Sequence, residues 1–277
     1  MHPYPSLQPL ESTPDVLDGG HLWLQEYLTG PILGFEMDET GLLTFGVDGT
    51  EFDTAPPSVR RAVGHVRQSV DRDRLRSGVD DVATFVFFGV ATRYEGLEYD
   101  WDALPPFVGL DIWAESEGRF VTPDVAERVF DAIGLTPVPA FEKEVPASHF
   151  DPNSFDIPTS HWRDGRAAGV VVRNKSGGAA VVERTAAFAD ASAVSNESVA
   201  IEAAVACGFT DALAAMDATV ETVDVDALSD SLFERVARVA YHDIADGLDR
   251  RPDAVRSDVG SAVRSILREE RSVSKEF

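Results

Sequence analysis

The chain has 277 residues, of which 44% are hydrophobic, and this size suits one large or two smaller globular domains. No apolar run approaches the roughly 18 residues of a membrane span, and the first fifteen residues lack the pattern of a signal peptide, so we expect a cytoplasmic protein without membrane contact. Cys207 is the single cysteine, which excludes an internal disulfide and a cysteine metal cluster. Its apolar, helical surroundings predict a buried side chain.

The charge is strongly acidic: 48 acidic residues stand against 24 basic ones, for a net charge of −24. Arginine replaces lysine almost everywhere, leaving only Lys143, Lys175 and Lys275. This pattern is typical of a halophilic protein, because a Debye length of about 3 Å at molar salt screens the self-repulsion. Contacts with phosphates weaken as salt rises, so binding of nucleic acid would not rest on charge alone.

The first predicted elements are strands. The runs HLWLQEYL, ILGFEM and LLTFGV, between residues 21 and 47, each read as a strand, with a turn at DETG. From Pro57 the apolar spacing becomes helical and predicts one amphipathic helix through PSVRRAVGHVRQSVDRDRLRSGV. Strands return at ATFVFFGVA and PFVGLDIWA.

The next helix is predicted after Thr122, with Pro123 in its first turn and Gly134 at its end. Residues 136–165 are rich in proline and polar residues and are expected to be mainly loop. AAGVVVRN and AAVVERT predict a hairpin across the turn KSGG.

After about residue 190 the pattern is helical, which predicts helices over 196–217, 225–248 and 252–271. We therefore predict an α+β domain over 1–190 and a helical domain over 191–277. No internal repeat is visible.

The order of these segments resembles the ATP-dependent RNA ligase family of the covalent nucleotidyltransferase superfamily. The resemblance covers about residues 3–190, and the helical tail resembles that of haloarchaeal members. Five stretches carry it: EYLTGPILGFEMDETGLLTFG, similar to the first motif; FVFFGVAT, similar to FFGEa; FVGLDIW, similar to FxxFDxW; AAGVVVRNK, similar to xEGvVvRnk; and GGAAVVERTAAF, similar to the final motif. The resemblance implies an adenylation-domain-like fold of antiparallel sheets with flanking helices.

The resemblance also implies a chemistry. In the family a lysine attacks the α-phosphate of ATP and forms a lysyl-AMP; the adenylate moves to an RNA 5′-phosphate, and a 3′-hydroxyl displaces AMP. This requires an amine nucleophile, acidic side chains that hold divalent metals, and a second lysine that meets the charge at the α-phosphate. ATP and Mg²⁺ are therefore implied by the resemblance alone.

This sequence departs from the family at the positions that carry the chemistry. The corresponding residues are Tyr27 for the nucleophilic lysine, Thr29 for the motif aspartate, Val90 and Ala168 for two glutamates, Leu110 for the aromatic residue on adenine, and Val181 or Val182 for the final lysine. A tyrosine with an ordinary pKa of about 10 is a poor substitute nucleophile without a base or a metal. We expect Tyr27 to pack in a collapsed pocket, and we name no catalytic residue and no metal ligand.

What remains of the motifs is mainly scaffold, and eight of these positions are our candidate nucleotide-binding residues: Glu26, Tyr27, Gly30, Gly89, Asp111, Gly169, Arg173 and Lys175. Two residues apart on a strand, Arg173 and Lys175 are expected to point the same way, where they would grip an anion. The alternative is a hairpin rim that keeps its charge in water.

Three functions stay open. The favoured hypothesis is an RNA-ligase-like protein without catalysis, which binds a nucleotide, an RNA end, or a partner protein such as an active ligase. The alternative is an active RNA ligase or nucleotidyltransferase with a non-standard nucleophile, Tyr27 or Lys175. The third is an assembly protein that uses its helical tail, where Leu228, Leu232 and Val236 form an apolar stripe.

Overall fold

The computed structural model of the protein describes residues 1–78, 81–152, 154–183 and 196–273. The chain divides into two compact units. The first unit comprises residues 1–55, 62–92 and 97–190, and the second comprises residues 56–61, 93–96 and 191–277.

A five-stranded sheet forms one half of the first unit. Its strands, in spatial order, are β1 (Gln8–Pro9), β11 (Ala179–Glu183), β10 (Gly169–Asn174), β2 (His21–Glu26) and β9 (Ala140–Pro146). All neighbours are antiparallel except β1 and β11, which are parallel. The pairing places Glu26 opposite Val170 and Trp23 opposite Arg173. Glu26, in the stretch similar to the family's first motif, therefore lies beside AAGVVVRNK, the fourth of the five motif-like stretches.

A six-stranded antiparallel sheet forms the other half. Its strands, in spatial order, are β5 (Thr50–Glu51), β4 (Leu43–Val47), β3 (Ile32–Met37), β6 (Phe85–Ala91), β7 (Phe107–Ala114) and β8 (Arg119–Phe120). The register of β6 and β7 shifts between Phe88 and Gly89. The predicted strands at FVFFGVA and FVGLDIWA are confirmed, and so is the α+β class with antiparallel sheets.

Aromatic side chains fill one face of the six-stranded sheet. The rings of Phe35 and Phe87 stack 4.9 Å apart, and Phe130 of α3 (Pro123–Ala132) lies 6.2 Å from Phe87 and 6.3 Å from Phe107. Such packing gains energy beyond the area that the rings bury. The opposite face carries Val90, Val108 and Leu110, which pack with Leu28, just after β2, and Ala168, just before β10.

The predicted single helix after Pro57 is wrong, because two helices are present: α1 (Pro57–Ser69) and α2 (Arg72–Gly78). The chain turns at Asp71. Its backbone N–H donates to Ile133 O at 2.8 Å, and its carboxylate accepts from the backbone N–H of Arg74 at 3.0 Å. Asp71 thus caps a new helix, which periodicity alone does not detect.

The expectation of a mainly loop region over 136–165 missed one strand, β9, which pairs with β2 at the edge of its sheet. Glu142, Lys143 and Glu144 are its exposed residues. Charged side chains are common on edge strands because they prevent unwanted pairing. Because its exposed residues are charged, the sequence of β9 lacks the apolar pattern of a strand and was predicted to be a loop.

Over residues 196–273, the second unit contains four helices: α4 (Glu197–Ala215), α5 (Val225–Val239), α6 (Tyr241–Arg250) and α7 (Pro252–Val273). The predicted helix over 225–248 is interrupted at Ala240, whose φ of −124° is not helical. Leu228, Leu232 and Val236 are fully buried in the core of this unit. The apolar stripe of the tail therefore serves the fold of its own unit.

Helix α4 is long and apolar enough, by composition, to cross a membrane, and it is the one such helix in the described ranges. Its side chains Ile201, Val205 and Phe209 are buried in the core of the helical unit. One face of α4 is therefore part of that core.

The prediction of a buried Cys207 is wrong, because its side chain is exposed. The buried residues of α4 lie on one face, at positions 200, 201, 204, 205, 208, 209 and 212, and Cys207 lies on the other face. The sequence does not show which face is buried, because alanines occur on both faces and alanine is tolerated at buried and at exposed positions.

Candidate functional site

The first motif ends β2 in a buried loop. Leu28 and Thr29 are each 3% exposed, and the backbone N–H of Tyr27 donates to Gly169 O at 3.1 Å. Gly30 has a φ of +140°, and a Cβ there would lie 2.1 Å from Ala91 O. Only glycine fits so close an approach, so Gly30 is required by the fold whether or not a ligand binds.

Glu26 is the most enclosed acidic side chain of the motif, at 1% exposure. It accepts three hydrogen bonds: from Ser160 Oγ at 2.5 Å, from the backbone N–H of His161 at 3.0 Å, and at His161 Nδ1 over 2.8 Å. The imidazole also stacks on Phe141, with ring centres 5.0 Å apart. A buried carboxylate needs such partners, and here they hold the loop at Ser160 against β2.

Tyr27 stands where the family resemblance expects the nucleophilic lysine. It is half-buried and packs against an apolar cluster. The cluster's buried members are Leu28, Val90, Leu97, Tyr99, Leu104, Val108, Leu110, Val138 and Ala168. Three of the substituted motif positions, Val90, Leu110 and Ala168, are therefore brought together in one apolar wall.

The cavity next to Tyr27 measures about 190 Å³. Sites for drug-sized ligands usually measure about 300–1,000 Å³. Its lining residues are Tyr4, Pro5, Ser6, Leu7, Glu26, Tyr27, Leu28, Gly30, Ile32, Asp48, Val90, Leu110 and Val171. No lysine is among them, and the described ranges contain no group of three or more metal-ligating side chains placed to hold a metal. The residues present do not fit ATP with Mg²⁺.

Two lysines can be placed in the structure, and each has an acidic partner. Lys143 Nζ lies 2.6 Å from Glu127 and 4.8 Å from the ring centre of Trp23. Lys175 Nζ lies 2.6 Å from Glu144. Lys275 falls outside the described residues.

Arg173 and Lys175 do not share an anion site. Arg173 is 5% exposed; it donates from Nη1 to Leu110 O at 3.0 Å and forms an ion pair with Asp111. Lys175 is exposed and pairs with Glu144. The expected joint grip on an anion is therefore not seen, because Arg173 pairs with the buried Asp111 while Lys175 pairs with Glu144 at the surface.

Gly89 and Gly169 are positions of close packing. A Cβ at Gly89 would lie 2.2 Å from the Phe107 ring, and one at Gly169 would lie 2.6 Å from Val182 O. Together with Gly30 they account for three of the eight candidate residues. Their structural role is to bring strands and rings into contact.

The chain's own N-terminal segment, residues 1–7, covers this site, a contact that no sequence pattern predicts. The ring of His2 stacks on Trp113, with centres 3.8 Å apart and planes 6° from parallel. The ring of Tyr4 lies 5.1 Å from Phe88 and 5.5 Å from Phe120. Residues separated by more than 80 positions meet here, so local periodicity carries no signal for the contact.

Two tyrosines near the site titrate unusually. Burial raises the pKa of Tyr99 to about 12. Burial also raises the pKa of Tyr4, an effect that the positive charge of Arg173 partly opposes. Both phenols are therefore neutral at ordinary pH.

No protein-family model matches the chain, and no curated protein matches it. Among solved structures, it is similar to an RNA ligase of Naegleria gruberi solved with AMP and manganese, with a TM-score of 0.50 and 12% identity over 66% of this chain and 56% of that one. The same ligase with pyrophosphate gives 0.49 and 12%, over 68% and 59%. An archaeal ATP-dependent RNA ligase gives 0.47 and 15%, over 97% and 65%.

The similarity to the Naegleria ligase at a TM-score of 0.50 shows the fold. The chain has the fold of this RNA ligase, with antiparallel sheets and flanking helices. It spans just over half the length of the Naegleria ligase, at 56%. An identity of 12% describes the fold and leaves activity to be argued from this chain's own residues.

Proposed function

We propose that the protein is an RNA-ligase-like pseudoenzyme of the cytoplasm that acts by binding a partner and does not transfer nucleotides. One observation carries the proposal: the place of the nucleophile holds Tyr27, which packs on an apolar wall that includes Val90 and Ala168. Forming a nucleotidyl-enzyme intermediate requires an activated nucleophile, and neutralising phosphates requires a metal held by acidic side chains. The wall supplies neither.

Among the possible partners, a protein is favoured over a nucleotide or an RNA end. The adjacent cavity of about 190 Å³ is small, and Arg173 is already paired with the buried Asp111. Contacts with a phosphate backbone also weaken at the high salt that the acidic composition indicates. We also propose that residues 191–277 form a helical domain of their own, which adds a surface for such a partner.

The test is an adenylation assay with labelled ATP and Mg²⁺ or Mn²⁺ at high salt, read by gel and by intact-protein mass. We expect no covalent label and no added AMP mass, while an active RNA ligase in the same buffer is labelled. Peptide mapping would locate any label. An adduct on Tyr27, His161 or Lys175 would overturn the proposal and favour an enzyme with a non-standard nucleophile.

Isothermal titration with ATP is a second measurement on the same protein. We expect no saturable heat, because the site lacks the volume and the cations for a triphosphate. Stoichiometric binding in the micromolar range would instead show that a nucleotide is the ligand, and would contradict the preference for a protein partner.

A further inference from the structure

The N-terminal segment, residues 1–7, lies along one face of the six-stranded sheet in a shaped groove. A Cβ at Gly34 would lie 2.7 Å from Met1 Sδ, and one at Gly46 would lie 3.1 Å from it. A Cβ at Gly49 would lie 3.0 Å from Pro3. Three glycines on β3, β4 and the turn after it thus leave the room that the segment takes.

Two aromatic side chains of the segment point into this groove, and an aromatic wall receives them. His2 stacks on Trp113 at 3.8 Å, and Tyr4 packs on Phe88 and Phe120. Residues i and i+2 of an extended chain lie on the same side. The spacing of the two rings along the segment matches the spacing of the aromatic residues beneath them: the ring of His2 lies over Trp113, and the ring of Tyr4 lies over Phe88.

Prolines separate and follow the two rings. Pro3 and Pro5 are exposed, carry no backbone N–H, and favour an extended chain at the residues that precede them. A Pro-containing extended segment in an aromatic-lined groove is a recurrent mode of peptide recognition, because the segment loses little entropy when it binds. The groove on this sheet has the same chemistry.

The inner end of the groove is polar. Tyr4 Oη lies 3.5 Å from Asp111 Oδ2, on the carboxylate that also pairs with Arg173. Beyond Tyr4, Pro5, Ser6 and Leu7 line the small cavity that Tyr27 borders. The segment therefore covers the wall of substituted motif residues and also has one polar anchor.

We propose that this face is a peptide-binding groove, that residues 1–7 are its resident occupant, and that it takes in trans an extended segment of the same chemistry: aromatic side chains two residues apart, separated by proline, the second with a hydroxyl. The inference rests on the proposed binding function and names the partner class, an aromatic, proline-containing segment of another protein. The resident segment is tethered directly to β1. Tethering gives it an effective concentration on the order of millimolar, so it outcompetes a free peptide until it is weakened.

The test uses the full chain and the fluorescently labelled peptide MHPYPSL, without ATP. The wild-type protein should bind the peptide weakly, because its own segment holds the groove. The variant with His2→Ala and Tyr4→Ala loses both resident anchors and should bind the peptide at least about tenfold more tightly, as loss of aromatic anchors usually does. The matched control Gln8→Ala changes an exposed residue just after the segment and should behave as wild type.

The second part of the experiment measures whether binding depends on the two aromatic residues of the peptide. The same peptide with alanine at its second and fourth positions should bind the double variant at least about tenfold more weakly. Circular dichroism checks that each variant is folded. If the double variant does not fold, His2→Ala alone, which removes one partly exposed ring, is titrated in its place and should still bind the peptide more tightly than wild type.

A folded variant that binds the peptide no better than wild type overturns the groove proposal, and so does equal binding of the alanine peptide. These outcomes leave the adenylation result untouched, so a failed peptide titration with no adenylation would reject the groove alone. An AMP adduct would reject the pseudoenzyme proposal independently of the peptide result.

Discussion

Arg173 on β10 forms a buried ion pair with Asp111 on β7, and so joins the five-stranded sheet to the six-stranded sheet. Its Nη1 also donates to Leu110 O at 3.0 Å. The two side chains are 5% and 1% exposed. An arginine that the motif resemblance suggests for an anion therefore acts as a link between sheets.

Replacing Arg173 with methionine is predicted to destabilise the protein by about 3–5 kcal/mol, because Asp111 would stay buried without a counter-charge. The urea midpoint, followed by circular dichroism, measures the change. The double variant Arg173→Met with Asp111→Leu should recover most of the loss, because an apolar pair of similar size can replace a buried ion pair.

The matched control for this prediction is Lys175→Met, two residues along the same chain. Its ion pair with Glu144 is at the surface, where salt and solvent leave such pairs with little net effect. We expect the urea midpoint to stay where it is. Equal losses for the two single variants would mean that Arg173 does not link the sheets.

The fold was predictable to the extent that local patterns determine it. Alternation identified β2, β3, β4, β6 and β7, and the turn KSGG identified the hairpin of β10 and β11. Local patterns did not predict three features: the cap at Asp71, the break at Ala240, and the charged edge strand β9. Two of the three involve partners that are distant in the sequence: the backbone N–H of Asp71 donates to Ile133 O, and β9 pairs with β2.

The sequence was sufficient to predict which motif residues of the site are substituted, but not which residues contact one another there. The motif comparison placed Tyr27, Val90 and Ala168 together, and the structure packs them in one cluster. It did not predict that Ser160 and His161 hold Glu26, because they lie 134 and 135 residues from it in the sequence. The N-terminal segment makes four ring contacts, two from His2 and two from Tyr4, with residues too distant in the sequence for any spacing pattern to predict.

Gly89 tests whether the motif glycines serve packing. A Cβ there would lie 2.2 Å from the Phe107 ring and 2.5 Å from Val108 O, so Gly89→Ala should cost about 1–3 kcal/mol of stability or more. Gly64→Ala in α1 is the control, because nothing lies within 4 Å of its Cβ. That change should stabilise by about 0.5–1 kcal/mol through helix propensity.

Urea denaturation of the two alanine variants therefore gives shifts of opposite sign. The comparison keeps the chemical change constant and varies only the surroundings. A stabilised Gly89→Ala variant would show that the space beside Phe107 opens easily, and would remove the packing argument for this position.

Ser160→Ala tests the support of the buried Glu26 carboxylate. The lost hydrogen bond to a charged acceptor, 2.5 Å long in the native protein, should cost about 1.5–3 kcal/mol. Ser77→Ala is the control, because its exposed hydroxyl donates only to Arg74 O, and surface changes of this kind usually stay within about 0.5 kcal/mol.

A double-mutant cycle of Ser160→Ala with Glu26→Gln then isolates the interaction, measured by urea denaturation. We expect a coupling free energy of about 0.5–3 kcal/mol, as found for directly contacting residues. Additive losses would show that Ser160 stabilises the loop without acting through Glu26.

The ionisation of Tyr99 is predicted to make the stability of the protein depend on pH. Burial raises the pKa of Tyr99 to about 12, against about 10 in the unfolded chain. The folded state therefore keeps a proton that the unfolded state loses, so this contribution to stability is complete below pH 10 and is lost as pH rises to about 12. A shift of roughly two units corresponds to about 3 kcal/mol.

Tyrosinate absorbance measures this directly, because the chain has five tyrosines whose ionisation adds to one curve. In the native protein a late-ionising fraction should be present, to which Tyr4 also contributes, and in urea-unfolded protein the curve should fall near pH 10. Tyr99→Phe should remove part of the late fraction and leave the unfolded curve shape unchanged. An unaltered late fraction in that variant would show that Tyr99 ionises with the accessible phenols, and that the cluster around Tyr27 admits water.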